Sequence, residues 1–189
     1  MRARLFALST LMLVLTLSGC LLDDLVGGQP DDAPLTVASQ QVEIVSGGQP
    51  YPAHFFAPEA QGPWPGVVLL HSINGLQPGY LSLSDRLAAA GFAVLTPAWQ
   101  TYERVPHDDV VAQLVREGVS YLRTQPNVDG QRLGLTGFCI GGRYTMLLQP
   151  QIADFSAGVA WYGFPFRGGD ANQALRPADV VDQLGSPML

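Results

Sequence analysis

The amino-acid sequence predicts an α/β fold: a mostly parallel sheet with helices on both faces and an antiparallel hairpin at its start. Three observations lead there. From residue 35 onward, short apolar runs alternate with stretches of helical periodicity, and such β–α–β units imply right-handed crossovers. The strand-like runs are continuously apolar rather than alternating, as strands covered on both sides are. The chain has 189 residues, 47% hydrophobic and 14% charged, which suits one domain with a core and argues against disorder.

The elements follow in order. Gln41–Val45 and Tyr51–Phe56 flank Ser46-Gly47-Gly48 and read as the hairpin. Gly66–Leu70, punctuated by Pro63 and Pro65, reads as a buried strand. Tyr80–Ala90 places Leu83, Leu87 and Ala90 on one helical face and closes at Gly91. Phe92–Thr96 is a strand stopped by Pro97. The clearest helix carries Val111, Leu114, Val115, Gly118 and Leu122 on one face, with Asp108 and Asp109 where the macrodipole favours negative charge. Gly118 in that stripe predicts close packing on the sheet. Leu133–Thr136 is a strand, Ile140–Leu148 a helix, Phe155–Tyr162 a strand, and Ala178–Leu184 a further short helix.

The N-terminus is set apart from the fold. Arg2 and Arg4 precede an apolar stretch, Leu5–Leu17, too short to span a bilayer, which takes about 20 apolar residues. It ends in Leu17-Ser18-Gly19-Cys20, which resembles a bacterial lipobox. The expected organisation is a lipoprotein signal peptide over residues 1–19, a lipidated Cys20 and flexible tether over 20–35, and the α/β domain over 36–189. An ordinary secretory signal or an N-terminal anchor is the alternative. The anchor implies a protein held by acyl chains in a bacterial cell envelope, periplasmic or associated with the outer membrane. Leu21, which is not the aspartate linked to inner-membrane retention, leans to the outer one.

Composition excludes several function classes. Net charge is −6, and all ten basic residues are arginine, so no nucleic-acid partner is expected. The two cysteines, Cys20 and Cys139, make neither a disulfide scaffold nor a paired-cysteine zinc site. No metal or organic cofactor is implied. A phosphate loop would need Gly-Lys-Ser/Thr, and the chain has no lysine.

The chemistry points to Gly137-Phe138-Cys139-Ile140-Gly141-Gly142, where a strand runs directly into a helix. That is the spacing of a nucleophile elbow with cysteine at its centre. The turn forces its central residue into a strained conformation, and flanking glycines remove clashing side chains. The helix N-terminus favours thiolate, and the Ile140 amide is placed to donate to an oxyanion. The competing reading is that Cys139 is a small buried hydrophobe in a packing turn.

Beyond the elbow, Gly137–Tyr144 resembles the nucleophile segment of the dienelactone hydrolase family. His71-Ser72-Ile73-Asn74-Gly75-Leu76, Asp85–Phe92 and Trp161-Tyr162-Gly163 are similar to further segments of that family, so the likeness covers Tyr51–Leu189. It implies an α/β-hydrolase fold and hydrolysis of a small-molecule carboxylic ester or lactone through a Cys-His-Asp triad. It also implies the Ile73 amide as second oxyanion donor. Ser72 stands where the family carries a glutamate. His54, His71 and His107 all precede Cys139, whereas the family's acid and histidine follow it. The expectation is therefore a C-terminally truncated domain, lacking its last strands and helix, whose triad Asp and His lie beyond residue 189. Taken alone, such a fragment is expected to be inactive. His71, Ser72 and Trp99 are the candidate substrate-binding residues, and Arg143 is expected to be solvent-facing or structural. The alternative function is a non-catalytic membrane-anchored lipoprotein, binding a ligand or partner, or a pseudoenzyme.

Overall fold

The computed structural model describes residues 33–189; the expected signal peptide, Cys20 and most of the tether lie outside them. The described chain begins with β1 (Val37–Ser46) and β2 (Gln49–Pro58), paired antiparallel over ten residue pairs. Gly47 and Gly48, at φ 58° and 77°, form the two-residue turn between them. Two positive φ values in succession match the twist of a tight hairpin, and glycine adopts them without steric cost.

Four parallel strands follow: β3 (Trp64–Leu70), β4 (Ala93–Pro97), β5 (Val128–Phe138) and β6 (Phe155–Trp161). The sheet order is β1-β2-β4-β3-β5-β6, with β2 antiparallel to β4. Helix α1 (Pro78–Ala89) joins β3 to β4, α2 (Asp108–Thr124) crosses from β4 over β3 to β5, and α3 (Ile140–Leu148) joins β5 to β6. Right-handed crossovers that run in opposite directions put α1 on one face and α2 and α3 on the other. The strand order therefore reverses between β3 and β5. Their carboxyl ends flank the crevice where open α/β sheets bind ligands.

The core divides accordingly. Val68, Leu70, Leu95, Leu133 and Leu135 pack against Val115, Leu122 and Leu147 of α2 and α3. On the other side Phe56, Leu69, Val94 and Ala88 form a smaller cluster with α1. Gly118 of α2 brings the helix close to the sheet, since a Cβ there would sit 3.1 Å from Leu95 Cδ2.

Several boundaries differ from the sequence expectation, β1 among them, which begins at Val37 rather than Gln41; three of the differences are informative. Strand β5 begins at Val128 rather than Leu133, because Val128 and Asp129 pair with Trp64 and Pro65 ahead of a bulge. Ala178–Leu184 is not a helix: two single 3-10 turns, Pro177–Asp179 and Val181–Gln183, break at Val180, whose φ is −123°. Tyr162, expected in the last strand, lies beyond β6 with φ 40°. After these turns Pro187–Leu189 lies along β6, where the Gly158 and Ala160 amides donate to the Pro187 and Leu189 carbonyls at 2.9 and 2.7 Å. No helix among the described residues is long and apolar enough to cross a membrane.

Candidate active site

At the junction of β5 and α3 the chain turns within one residue, Cys139, at φ 57° and ψ −115°. A non-glycine residue holds such a conformation only when its surroundings over-determine it. They do so here. The Cys139 amide donates to the Trp161 carbonyl at 3.0 Å, and the Cys139 carbonyl accepts from Arg143 N–H at 2.9 Å. The three glycines around the turn are sterically required. A Cβ on Gly137 or Gly141 would collide with the Gly141 or Leu70 carbonyl, and one on Gly142 would lie 2.7 Å from the Trp161 carbonyl oxygen. The turn thus packs against the end of β3 on one side and of β6 on the other. Cys139 is a free thiol, half-buried, at the N-terminus of α3.

The end of β3 supplies the opposing loop. Ser72 is buried, and its Oγ accepts from the Asn74 amide at 3.3 Å. Gly75, at φ 87°, donates to the Ser72 carbonyl at 3.2 Å and closes the turn. Gln100 Nε2 donates to the Ile73 carbonyl at 3.1 Å and fixes that peptide from behind. The amides of Ile73 and Ile140 donate to no hydrogen-bond acceptor among the described residues. Gln100 had no motif around it in the sequence; its role emerges only when the β4–α2 loop folds over the β3 loop.

His71 is completely buried behind this loop. Its Nδ1 donates to the Ser72 carbonyl at 2.8 Å, so the neutral ring carries its lone pair on Nε2, which has no partner. Burial lowers its pKa to about 4, only partly offset by the hydrogen bond to Ser72. The ring stacks on Trp99 at 5.0 Å, and Trp99 Nε1 donates to the His71 carbonyl at 3.1 Å. Trp99 is itself fully buried, so the substrate contact expected of it is replaced by support of the His71 backbone. His71, with no exposed surface, likewise meets no solvent-borne ligand in this conformation.

The other histidines lie elsewhere: His54 on β2 stacks on Phe56, and His107 is exposed ahead of α2. Asp154 pairs with Arg123 at 2.7 Å, and Asp179 with Arg176 at 2.9 Å. No histidine or carboxylate hydrogen-bonds the Cys139 thiol among the described residues, and no cluster there could hold a metal ion. Arg143 is fully buried, which removes the solvent-facing half of its expectation. Trp161 and Tyr162, whose rings pack on Phe138 of the elbow, are exposed, as are Phe164 and Phe166 further along the same segment; together they form an aromatic rim. Burial first, then the neighbouring Tyr80 and Cys139, push the Tyr162 phenol up.

The dienelactone hydrolase family model matches residues 51–189. A carboxymethylenebutenolidase candidate of Methylorubrum extorquens is 28% identical over 186 residues, covering 85% of this chain and 64% of that protein. Its counterpart in Escherichia coli K12 is 29% identical over 179 residues, with coverage of 85% and 64%. The chain thus spans just under two thirds of these relatives' length. A crystal structure of a dienelactone hydrolase candidate from Klebsiella pneumoniae superposes with a TM-score of 0.75 at 27% identity, covering 81% of this chain and 71% of that one. The six-stranded mixed sheet is that of an α/β-hydrolase, and the family model runs through both the elbow and the loop that faces it. A hydrolase fold with cysteine at its elbow, matched over most of its length, places this chain in the dienelactone hydrolase family.

Proposed function

We propose that the protein hydrolyses a small-molecule carboxylic ester or lactone, with Cys139 as the nucleophile. The observation that carries this reading is the strained conformation of Cys139, held at a strand–helix junction with free amides at Ile140, the first residue of α3, and at Ile73 in the β3 loop. The thiolate attacks the substrate carbonyl, and the carbonyl π electrons move onto oxygen. The Ile140 and Ile73 amides donate to that oxyanion. Collapse expels the alcohol oxygen, which takes up a proton, and leaves a thioester on Cys139. Water then attacks the thioester, releasing the acid and restoring the thiol.

Proton transfer in both halves requires a base oriented by an acid. No described histidine or aspartate is joined to Cys139. In this reading the histidine and aspartate of a Cys-His-Asp triad are supplied by a part of the protein beyond residue 189, consistent with the relatives' greater length. Residues 1–189 alone are then inactive. The same reading carries the envelope location, with Cys20 acylated and the domain tethered to a membrane; palmitate labelling lost in Cys20→Ala tests that part separately.

The decisive experiment uses the complete gene product. Hydrolysis of p-nitrophenyl acetate is expected to fall by about a thousandfold or more in Cys139→Ala, and iodoacetamide is expected to inactivate the unmodified protein. Hydrolysis that survives Cys139→Ala overturns the assignment. A complete protein with no esterase or lactonase activity favours the binding-lipoprotein alternative instead.

A further inference from the structure

One helical turn past Cys139, Arg143 lies fully buried at the meeting point of three segments. Its guanidinium forms a two-pronged ion pair with Asp108 at the start of α2, at 2.7 and 3.0 Å. Its Nε donates to the Arg167 carbonyl at 3.1 Å and its Nη2 to the Leu175 carbonyl at 2.7 Å. Both ends of the 167–175 segment are therefore bonded to one side chain of the nucleophile helix. The interior of that segment is pinned as well. The Asp108 amide donates to the Asn172 carbonyl at 2.9 Å, Asn172 Nδ2 donates to Val105 at 2.9 Å, and Asp170 Oδ1 accepts from the Gln173 amide at 2.7 Å.

Between β6 and this pinned segment runs the aromatic rim. Trp161, Tyr162, Phe164 and Phe166 are 50%, 67%, 40% and 77% exposed, against the usual burial of such side chains. The rim is suspended at two points, one on the elbow and one on α3. At one end the Cys139 amide holds the Trp161 carbonyl, and at the other Arg143 holds the Arg167 carbonyl. Stability alone is a weak reason for such an arrangement, because a buried ion pair is often no better than a well-packed apolar pair. What the planar fork supplies, and an apolar pair does not, is a fixed direction for each of its four bonds.

We propose that Arg143 is a positioning residue for the reaction: with Asp108 it holds the aromatic rim at a set distance from Cys139, and the rim receives the bulkier group of the ester. This rests on the assignment of Cys139 as nucleophile. Lysine at position 143 keeps the charge but lacks the fork. The pair Arg143→Met with Asp108→Leu removes both charges together and leaves no lone buried ion.

The test compares p-nitrophenyl acetate with p-nitrophenyl benzoate on the complete gene product, alongside thermal melting and the pH profile of Cys139 alkylation by iodoacetamide. In the double variant the Arg167 and Leu175 carbonyls lose their donor, so melting is expected to fall by several degrees, while the alkylation profile stays close to wild type, KM for the benzoate rises about tenfold and the acetate changes little. Arg143→Lys is expected not to restore the benzoate KM. Phe166→Ala, a change on the exposed rim, is expected to raise it as well, and keeps the test open should the core variants fold poorly. A folded double variant with wild-type KM for both esters overturns the proposal, and so does a wild-type benzoate KM in Phe166→Ala. Failure of the nucleophile assignment has a different signature, persistent hydrolysis in Cys139→Ala.

Discussion

Alternate residues of β5 face two different environments. Leu133 and Leu135 point toward α2 and α3 and are 1% exposed, locked into the larger core cluster. Gly134, Thr136 and Phe138, on the opposite face, are only half-buried. With Val159 and Trp161 of β6 and Leu83 of α1 they line an apolar trough of about 270 Å³. The single helix on that side lies over β2 and β4, leaving β5 and β6 uncovered among the described residues. The elbow is built on the sealed face, where carbonyls and glycines approach to contact, and the open face contributes less packing to hold it. Burial energy scales with area removed from water, so stability is concentrated in one of the two layers.

The sharpest way to break that asymmetry is at the elbow. Gly141→Ala drives a Cβ into the Leu70 carbonyl and to 2.6 Å from the His71 carbonyl oxygen, both backbone atoms that cannot swing away. A loss of about 4 kcal/mol or more is expected, read as a shift of the urea midpoint or as failure to fold. Next comes a pair of leucines. Leu135→Ala on the sealed face is expected to cost about 2–5 kcal/mol; Leu83→Ala beside the trough should cost about 1 kcal/mol. Equal losses in urea titrations would contradict the asymmetry.

The third effect depends on pH and is smaller near neutrality. His71 has its folded pKa lowered to about 4 from 6.5, so between those values the unfolded chain takes up a proton that the folded chain refuses. The stability from keeping His71 neutral is complete above 6.5 and falls away as pH drops toward 4, by about 3 kcal/mol at most. His71→Leu should flatten this part of the stability–pH curve; an unchanged slope would show that His71 is not its source.

Much of the fold was legible because its signals are local. Gly47-Gly48 fixed the hairpin turn, and the apolar spacing of Val111, Leu114, Val115 and Leu122 gave α2 its buried face. The strand–turn–helix geometry at Cys139 was legible for the same reason, since strand, glycines and helix are contiguous. The start of β5 was not. Asp129-Gly130-Gln131-Arg132 has no apolar run; Val128 and Asp129 join the strand by pairing with Trp64 and Pro65, distant in sequence, and residues 130–132 form the bulge before Leu133. Arg143 and Asp108 are 35 positions apart, and nothing in either neighbourhood names the other. One clue was available: an arginine followed by Tyr-Thr-Met-Leu-Leu on an apolar helix must find a partner if that helix is buried. Trp99 misled for a related reason. It stands after a strand end, where ligand contacts gather, but the loop folds back and turns its indole inward against His71.

The φ of 57° at Cys139 is a property of the main chain, and any L-residue placed there bears the same strain. The side chain proposed as nucleophile could therefore be exchanged without rebuilding the turn, and a serine would inherit the position at no added conformational cost. Glycine alone escapes. Cys139→Gly is thus expected to give a more stable protein and, in the proposed mechanism, one with nothing to react, so that the resting molecule continuously carries about 1–3 kcal/mol of instability at this one residue.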